Sequence, residues 1–579
     1  GANNVAMGHA ALDANTTASD NIAIGTSAAS ANTTGTRIIS IGTSAYGNSD
    51  TENDNIAIGH QAMNTNTAGG TKNLAIGNYA LDALTSGDDN VAVGYDAMTA
   101  NTTGVSNTAV GKGALTANTT ANYNNAFGEN ALLANTEGTQ NSGIGRYTLA
   151  ANTTGSYNVG VGGDALTANT TADNNTAVGA FSLSDNTTGA GNAALGAYAL
   201  ENNTTAAENT AVGFYAAGDT TTGADNTAIG AGSLRLNATG ANNTSLGKHS
   251  LYNSVGSNNT AIGKDALKAT VVSGNTAVGG DALMTNTTGI GNVAVGYTAL
   301  KLNTTGVGMV AIGNGALDAN TTGGDSVAIG INALGSNTTT GSCVAIGASA
   351  LGANQANYNV AIGHDSMGAT TSGGANIAVG YQTLKANTTG TRNMAIGWRA
   401  YYASDTENDN IAIGYEAMTT NTAGGTANMA IGNYAGDAIT SGDNNICIGH
   451  NAGSGISTGL SNTIVGYTAG INNATLTTGR DNVLLGAFTD TSAAAGANQI
   501  AIGYDVNAVG DNYVTIGKTH GSANQIYNQF TSNATWTHAS DQRMKKEITT
   551  NTDAGLDFIN DLRTVTYKWK APSEVDSSM

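Results

Sequence analysis

The chain has 579 residues, of which 80 are glycine and one is proline; 40% are hydrophobic, 10% charged and 5% aromatic, and the net charge is −20. That much glycine with a single proline excludes a collagen-like repeat, and the apolar fraction excludes a disordered chain. Few aromatic side chains exclude a thick globular core, so a thin, regular, stacked structure is expected.

The charge is unevenly placed. Seven basic and seven acidic residues lie from Lys518 onward, which leaves thirteen and thirty-three of the totals of 20 and 40 in the earlier part. An acidic body argues against nucleic acid as a partner, because such binding rests on basic charge, and it favours solubility. No signal peptide and no membrane-inserting segment is expected, since there is neither a charged leader nor a long apolar run.

Residues 1–517 repeat one pattern, Asn-x-Ala-(Val/Ile)-Gly, as in Asn90 to Gly94, Asn107 to Gly111 and Asn226 to Gly230. The closing glycines recur at steps of 17: Gly8, Gly25, Gly42 and Gly59, then Gly77, Gly94, Gly111 and onward. The step to Gly77 is 18, steps of 16 end at Gly263, Gly279 and Gly363, and the last three are 20 to Gly486, 17 to Gly503 and 14 to Gly517. A fixed period of this size is the mark of a solenoid. The fold class is therefore all-β, an elongated β-solenoid or β-roll of about thirty coils, with a shaft roughly 140 to 150 Å long at a strand spacing of ~4.8 Å.

Each coil divides in two. Val and Ile in the glycine-terminated half predict a short strand. The following x-x-Ala-Leu, as in Gly111 to Leu115, predicts a second short strand, and Asn-Thr-Thr-Gly, as in Asn101 to Gly104, a turn. In Asn90 to Gly94, alternation sends Ala92 to one face, lining a narrow interior, and Val91 and Val93 to the other. Repeated along the shaft, the outer face makes an apolar stripe far larger than a soluble monomer shows. A homo-oligomer is expected for that reason, and the period alone does not choose its order.

The Asn-Thr-Thr corners match N-glycosylation acceptors, but the turn chemistry of Asn and Thr accounts for them better. Cys343 and Cys447 lie six coils apart, too far for a bridge if the coils stack, and read as small apolar fillers. Ser49 to Gly59 recurs as Ser404 to Gly414, and both copies precede an Asn-Thr-Ala-Gly-Gly corner and an 18-residue step. A multi-coil block has been duplicated, and a small bulge is expected at both places.

The Asn-x-(Val/Ala)-(Ile/Val)-Gly coil resembles the repeats of the YadA-like head, a trimeric left-handed β-roll of bacterial adhesins, and the step from Gly503 to Gly517 has that family's usual length. The resemblance covers residues 1 to about 517 and implies a parallel homotrimer.

Residues 518–539 read as a connector and 540–579 as a separate small α+β segment. Trp536, Trp569, Tyr527, Phe530 and Phe558 cluster there, Ala554 to Leu562 predicts an amphipathic helix, and Thr564 to Trp569 alternates like a strand. Ala539-Ser-Asp-Gln-Arg-Met-Lys-Lys-Glu-Ile548, with Leu562 to Trp569, resembles the endosialidase-type intramolecular chaperone, which self-cleaves from the ends of phage tail spikes and fibres. The resemblance implies that Ser540 is the nucleophile, Lys545 its general base, and the cut falls between Ala539 and Ser540. A serine needs such a base, and a lysine serves once burial lowers its pKa. Ser540-Asp541 also reads as a helix N-cap. The segment is shorter than the family's domain and is expected to be its incomplete start.

The function expected is that of a structural fibre of a bacteriophage tail, located on the virion, with a host-surface receptor and other tail proteins as partners and no cofactor or metal. A bacterial trimeric surface adhesin, an ice-binding solenoid and a glycan-degrading enzyme are the alternatives. The first lacks a visible anchor, the second has its Thr-Thr pairs at corners, and the third lacks paired carboxylates.

Overall fold

The computed structural model describes residues 1–519 and 524–529, together with the backbone of 537–538. The chain is a parallel β-solenoid of about thirty coils, as the period predicts. Each coil contributes one short strand, from Val5–Met7 at one end to Tyr513–Gly517 at the other, and each strand pairs in parallel with its equivalent in the next coil. Val91, Ala92 and Val93 stand opposite Thr108, Ala109 and Val110. The central residue, alanine in most coils, points inward and is fully buried in almost every one, as at Ala92, while Val91 and Val93 on the outer face are only half-buried. Inward alanine is what lets the coil stay thin.

The second half of the coil is not a strand. Asp96 and Met98 take φ of 55° and 51°, and the same alternation recurs at Asn130 and Leu132. Left-handed residues at alternate positions wind the chain too tightly for an extended segment. The segment still bonds to the next coil, with the Met98 amide donating to Ala114 O at 2.9 Å and Ala100 to Thr116 O at 3.0 Å. A left-handed φ costs a leucine or methionine about 1–2 kcal/mol. Complete burial of that side chain contributes about 1.5–3 kcal/mol and offsets it.

Asparagine supplies what the small interior cannot. Asn90 is fully buried. Its Nδ2 donates to Gly104 O at 2.9 Å, and its Oδ1 accepts the backbone amide of Asn107 at 3.0 Å. The corner asparagines form a second ladder: Asn118 Nδ2 donates to Asn101 Oδ1 at 3.0 Å and to Ala121 O at 3.1 Å. The corner tripeptides are therefore turn chemistry, with Asn101 and Asn118 closed to a glycosyltransferase.

The closing glycine is required twice over. Gly94 has φ +143°, and a Cβ there would lie 2.4 Å from the carbonyl oxygen of Gly111 in the next coil. The coils stack too closely at this edge for any side chain.

The duplicated block folds identically in both places. The extra residue sits in the corner and leaves the strand ladder unbroken, since Ile56 still pairs with Leu74. Asn66 Nδ2 reaches Gly70 O at 2.6 Å, one residue further than an ordinary corner, and Gly69 takes φ +106°. Asn421 and Gly425 repeat that bond at 2.7 Å. Arg37 and Arg392 pair with Asp54 and Asp409 one coil on, so the duplication extends beyond the repeated peptide.

At the far end Gln525–Gln529 pairs antiparallel with Tyr513–Gly517 and covers the edge of the last parallel strand. The predicted helix at 554–562 and strand at 564–569 lie outside the described residues.

Candidate functional surfaces

The outermost strand position forms an apolar rail. In every parallel strand, from Met7 through Ile312, Ile329 and Ile346 to Ile516, the third outward-facing site is aliphatic, methionine or, at Phe127, aromatic. Strand-to-strand packing half-buries most of these side chains, yet Leu195 remains 51% exposed. The rail is the outer stripe expected from the alternation, and it runs without interruption.

Beside it, on the residues that follow the closing glycine, runs a ladder of aromatic rings. His364, Tyr381, Trp398 and Tyr415 stack nearly parallel, with Trp398 and Tyr415 4.7 Å apart at 8°. Tyr434 meets Tyr415 and His450 edge to face at 66° and 77°, His450 and Tyr467 stack at 19°, and Phe488 and Tyr504 close the ladder edge to face at 78° and 85°. Sequence reasoning missed this ladder. Its signal was available as an aromatic or histidine one or two places after the glycine in nine consecutive coils.

Two carboxylates are built into the duplicated block. Glu52 is 2% exposed and accepts the amides of Asp50, Thr51 and Gly69, each at 3.1 Å. Glu407 accepts those of Asp405, Thr406 and Gly424 at 2.9, 3.1 and 3.0 Å. Tyr46 and Tyr401 are buried below them, and that burial pushes both phenols up. The Asn55 side chain donates to the Tyr46 hydroxyl at 2.9 Å. Every oxygen here is spent on the fold, so these are corner supports and not acid–base groups.

Asp437 differs, because one of its oxygens is buried without a partner, and desolvation pushes the carboxyl up to about 6. Its duplicate, Asp82, is likewise raised by burial. Cys343 and Cys447 are free and buried; burial pushes the Cys447 thiol up to about 12, which keeps it inert. Among the described residues no group of three or more His, Cys, Asp or Glu side chains could hold a metal, and no helix is long and apolar enough to cross a membrane.

Ser540 and Lys545 lie outside the described residues, so their geometry does not enter the site. Residues 540–578 match the family described as the chaperone of endosialidase. No curated protein matches the chain.

Proposed function

We propose that this chain is the shaft of a bacteriophage tail fibre, a parallel homotrimer with YadA-head-like coils whose C-terminal chaperone directs assembly and then cuts itself off. On this reading residues 1–517 are the shaft, 518–539 the connector and 540–579 the start of the chaperone. The fibre sits on the virion, outside any cell, joined to other tail proteins and extended toward a receptor on the host surface.

The observation that carries the reading is the chaperone-family match directly following a solenoid. The apolar rail supplies the physical reason for pairing the two. A rail that repeats every coil offers many wrong registers one coil apart, and each buries nearly as much surface as the right one. A trimerising domain at one end fixes the register before the shaft closes.

In the cleavage step Ser540 Oγ attacks the Ala539 carbonyl carbon, and Lys545 Nζ takes the hydroxyl proton. An ester forms on Ser540 Oγ as Ser540's own backbone nitrogen leaves as an amine, taking the proton back from Lys545, and water then hydrolyses the ester to release Ala539 as a new C-terminal carboxylate and restore the Ser540 hydroxyl. Mass spectrometry of the full-length gene product tests this: a shaft ending at Ala539 is expected, and Ser540→Ala is expected to keep the chain intact. An uncut wild-type chain, or cleavage that survives Ser540→Ala, would overturn it.

A further inference from the structure

The repeat breaks once in a way that builds a concavity. The coil between Gly466 and Gly486 takes 20 residues, and the extra length forms an overhang at Ile471 to Asn473. The overhang is held in place. Buried Asp490 accepts the amides of Asn473 and Ala474 at 2.6 and 2.8 Å. Asn472 Nδ2 donates to Asp505 Oδ1 at 3.0 Å and Asn473 Nδ2 to Asn507 Oδ1 at 3.1 Å, two coils onward. Beneath lies an open cleft of about 400 Å³ lined by Asn472, Asn473, Phe488, Tyr504 and Asp505.

The aromatic ladder ends in this cleft, in edge-to-face contacts of the kind that first interrupt the stack at Tyr434. In the stacked run His364 to Tyr415 the inner rings, Tyr381 and Trp398, have a stacked neighbour on both faces, so they present mainly ring edges. Phe488 meets both Tyr467 and Tyr504 edge to face, which turns ring faces aside from the stack axis, and Tyr504 is 56% exposed. One wall is therefore an open ring surface. The other carries an amide and a carboxylate whose hydrogen bond to each other leaves the Asn472 carbonyl oxygen and Asp505 Oδ2 to accept from a ligand.

We propose that this cleft binds a pyranose unit of a neutral host glycan. A sugar ring has an apolar C–H face that packs on an aromatic ring and an equatorial rim of hydroxyls that donate to carboxylate and amide oxygens. No cation lines the cleft, and a chain of net charge −20 repels anionic polysaccharides, so the ligand class is neutral. A departure from an otherwise uniform repeat is where function is expected to sit. The proposal deepens the tail-fibre reading by naming what the shaft grips. The two fail separately, because self-cleavage reports on the chaperone and sugar binding on this cleft.

Calorimetric titration of the full chain with cellohexaose, maltohexaose, xylohexaose and chitohexaose tests it. At least one is expected to bind, and Tyr504→Ala is expected to weaken that binding about tenfold, with Tyr504→Phe retaining most of it. Asn472→Ala, which frees the overhang from Asp505, is expected to weaken the same sugar. Sedimentation of Tyr504→Ala should match wild type. Failure of all four sugars to bind, unchanged affinity in Tyr504→Ala, or an altered assembly state in that variant, which would mean the ring seats a second copy, would each overturn the proposal.

Discussion

The backbone amide of Asn107 donates to the side-chain oxygen of Asn90, one coil earlier, at 3.0 Å. Asn107 in turn offers its own Oδ1 to the amide of Asn124 at 2.9 Å and its Nδ2 to Ala121 O at 2.9 Å. Each asparagine thus ties three coils together inside a space too small for a large apolar group. Asn107→Ala leaves the buried Asn124 amide unpaired, at a cost of about 1–3 kcal/mol, while Ala121 O keeps the bond from Asn118 Nδ2. Because coils touch only their neighbours, the damage stays local. Hydrogen exchange of the Asn124 amide is expected to accelerate by about tenfold or more, while that of Asn393, far along the shaft, stays unchanged.

Two glycines separate conformational need from mere smallness. A Cβ on Gly94 would sit 2.4 and 2.6 Å from the oxygen and carbon of the Gly111 carbonyl, at φ +143°. Gly163 has ordinary φ and nothing within 4 Å of such a Cβ. Gly94→Ala is expected to cost on the order of 3–5 kcal/mol and to open the adjoining coils, whereas Gly163→Ala is tolerated. Limited proteolysis checks this: new cuts near residues 90–111 are expected in the first variant only. Equal resistance of both would refute the close-stacking account.

The strand half of the coil was legible because Asn-x-Ala-x-Gly carries a period of two on a period of 17: Ala92 faced inward and Val93 outward as alternation required. The other half misled because Ala97-Met98 and Ala114-Leu115 read as short apolar runs opposite the first strand, while the backbone places Met98 and Leu115 at left-handed φ. Propensity disfavours that choice for both side chains, and it is tertiary burial that selects it. One clue stood two residues after the glycine, where Asp96, Gly113, Asn130 and Asp164 are the types that tolerate positive φ. The asparagine ladders were hidden for another reason. A polar residue beginning a strand reads as a surface group until its coil-to-coil bonds are seen. The cleft under Asn472 was marked in sequence only by a step of 20, which gives length but not direction.

Asp437 makes its own coil pH-sensitive. Its partnerless oxygen disfavours the charged form in the fold, and the carboxyl is raised from the ordinary 3.8 to about 6. A raised acid contributes its stability when protonated, fully below the unfolded pKa, and loses it as pH rises through about 6. Asp437→Asn, which cannot ionise, is therefore expected to stabilise coil 432–449 at pH 7.5 by on the order of 1 kcal/mol, after allowance for solvent screening at this half-buried group. No gain is expected at pH 4. The variant-to-wild-type ratio of exchange rates in that coil, taken at both pH values, decides it, and a gain equal at the two would sink the idea.

The proposed oligomer would rest on the rail. Ile312, Ile329 and Ile346 follow one another on the outer face, in register through the strand ladder. If copies bury this stripe against one another, each isoleucine contributes about 1.5–3 kcal/mol per chain, and a lysine in its place must be desolvated with no acid opposite. The solenoid itself does not need these side chains, since its interior is filled by Ala311, Ala328 and Ala345. Replacing all three isoleucines by lysine is therefore expected to leave the coil spectrum by circular dichroism intact while lowering the assembled mass in sedimentation. Lysine at Thr103 and Thr120, exposed on the corner, should change neither. A rail variant that sediments as wild type would place the interface on another face of the coil. The uniformity of the rail would then need another cause, and the register argument for a C-terminal chaperone would lose its physical footing.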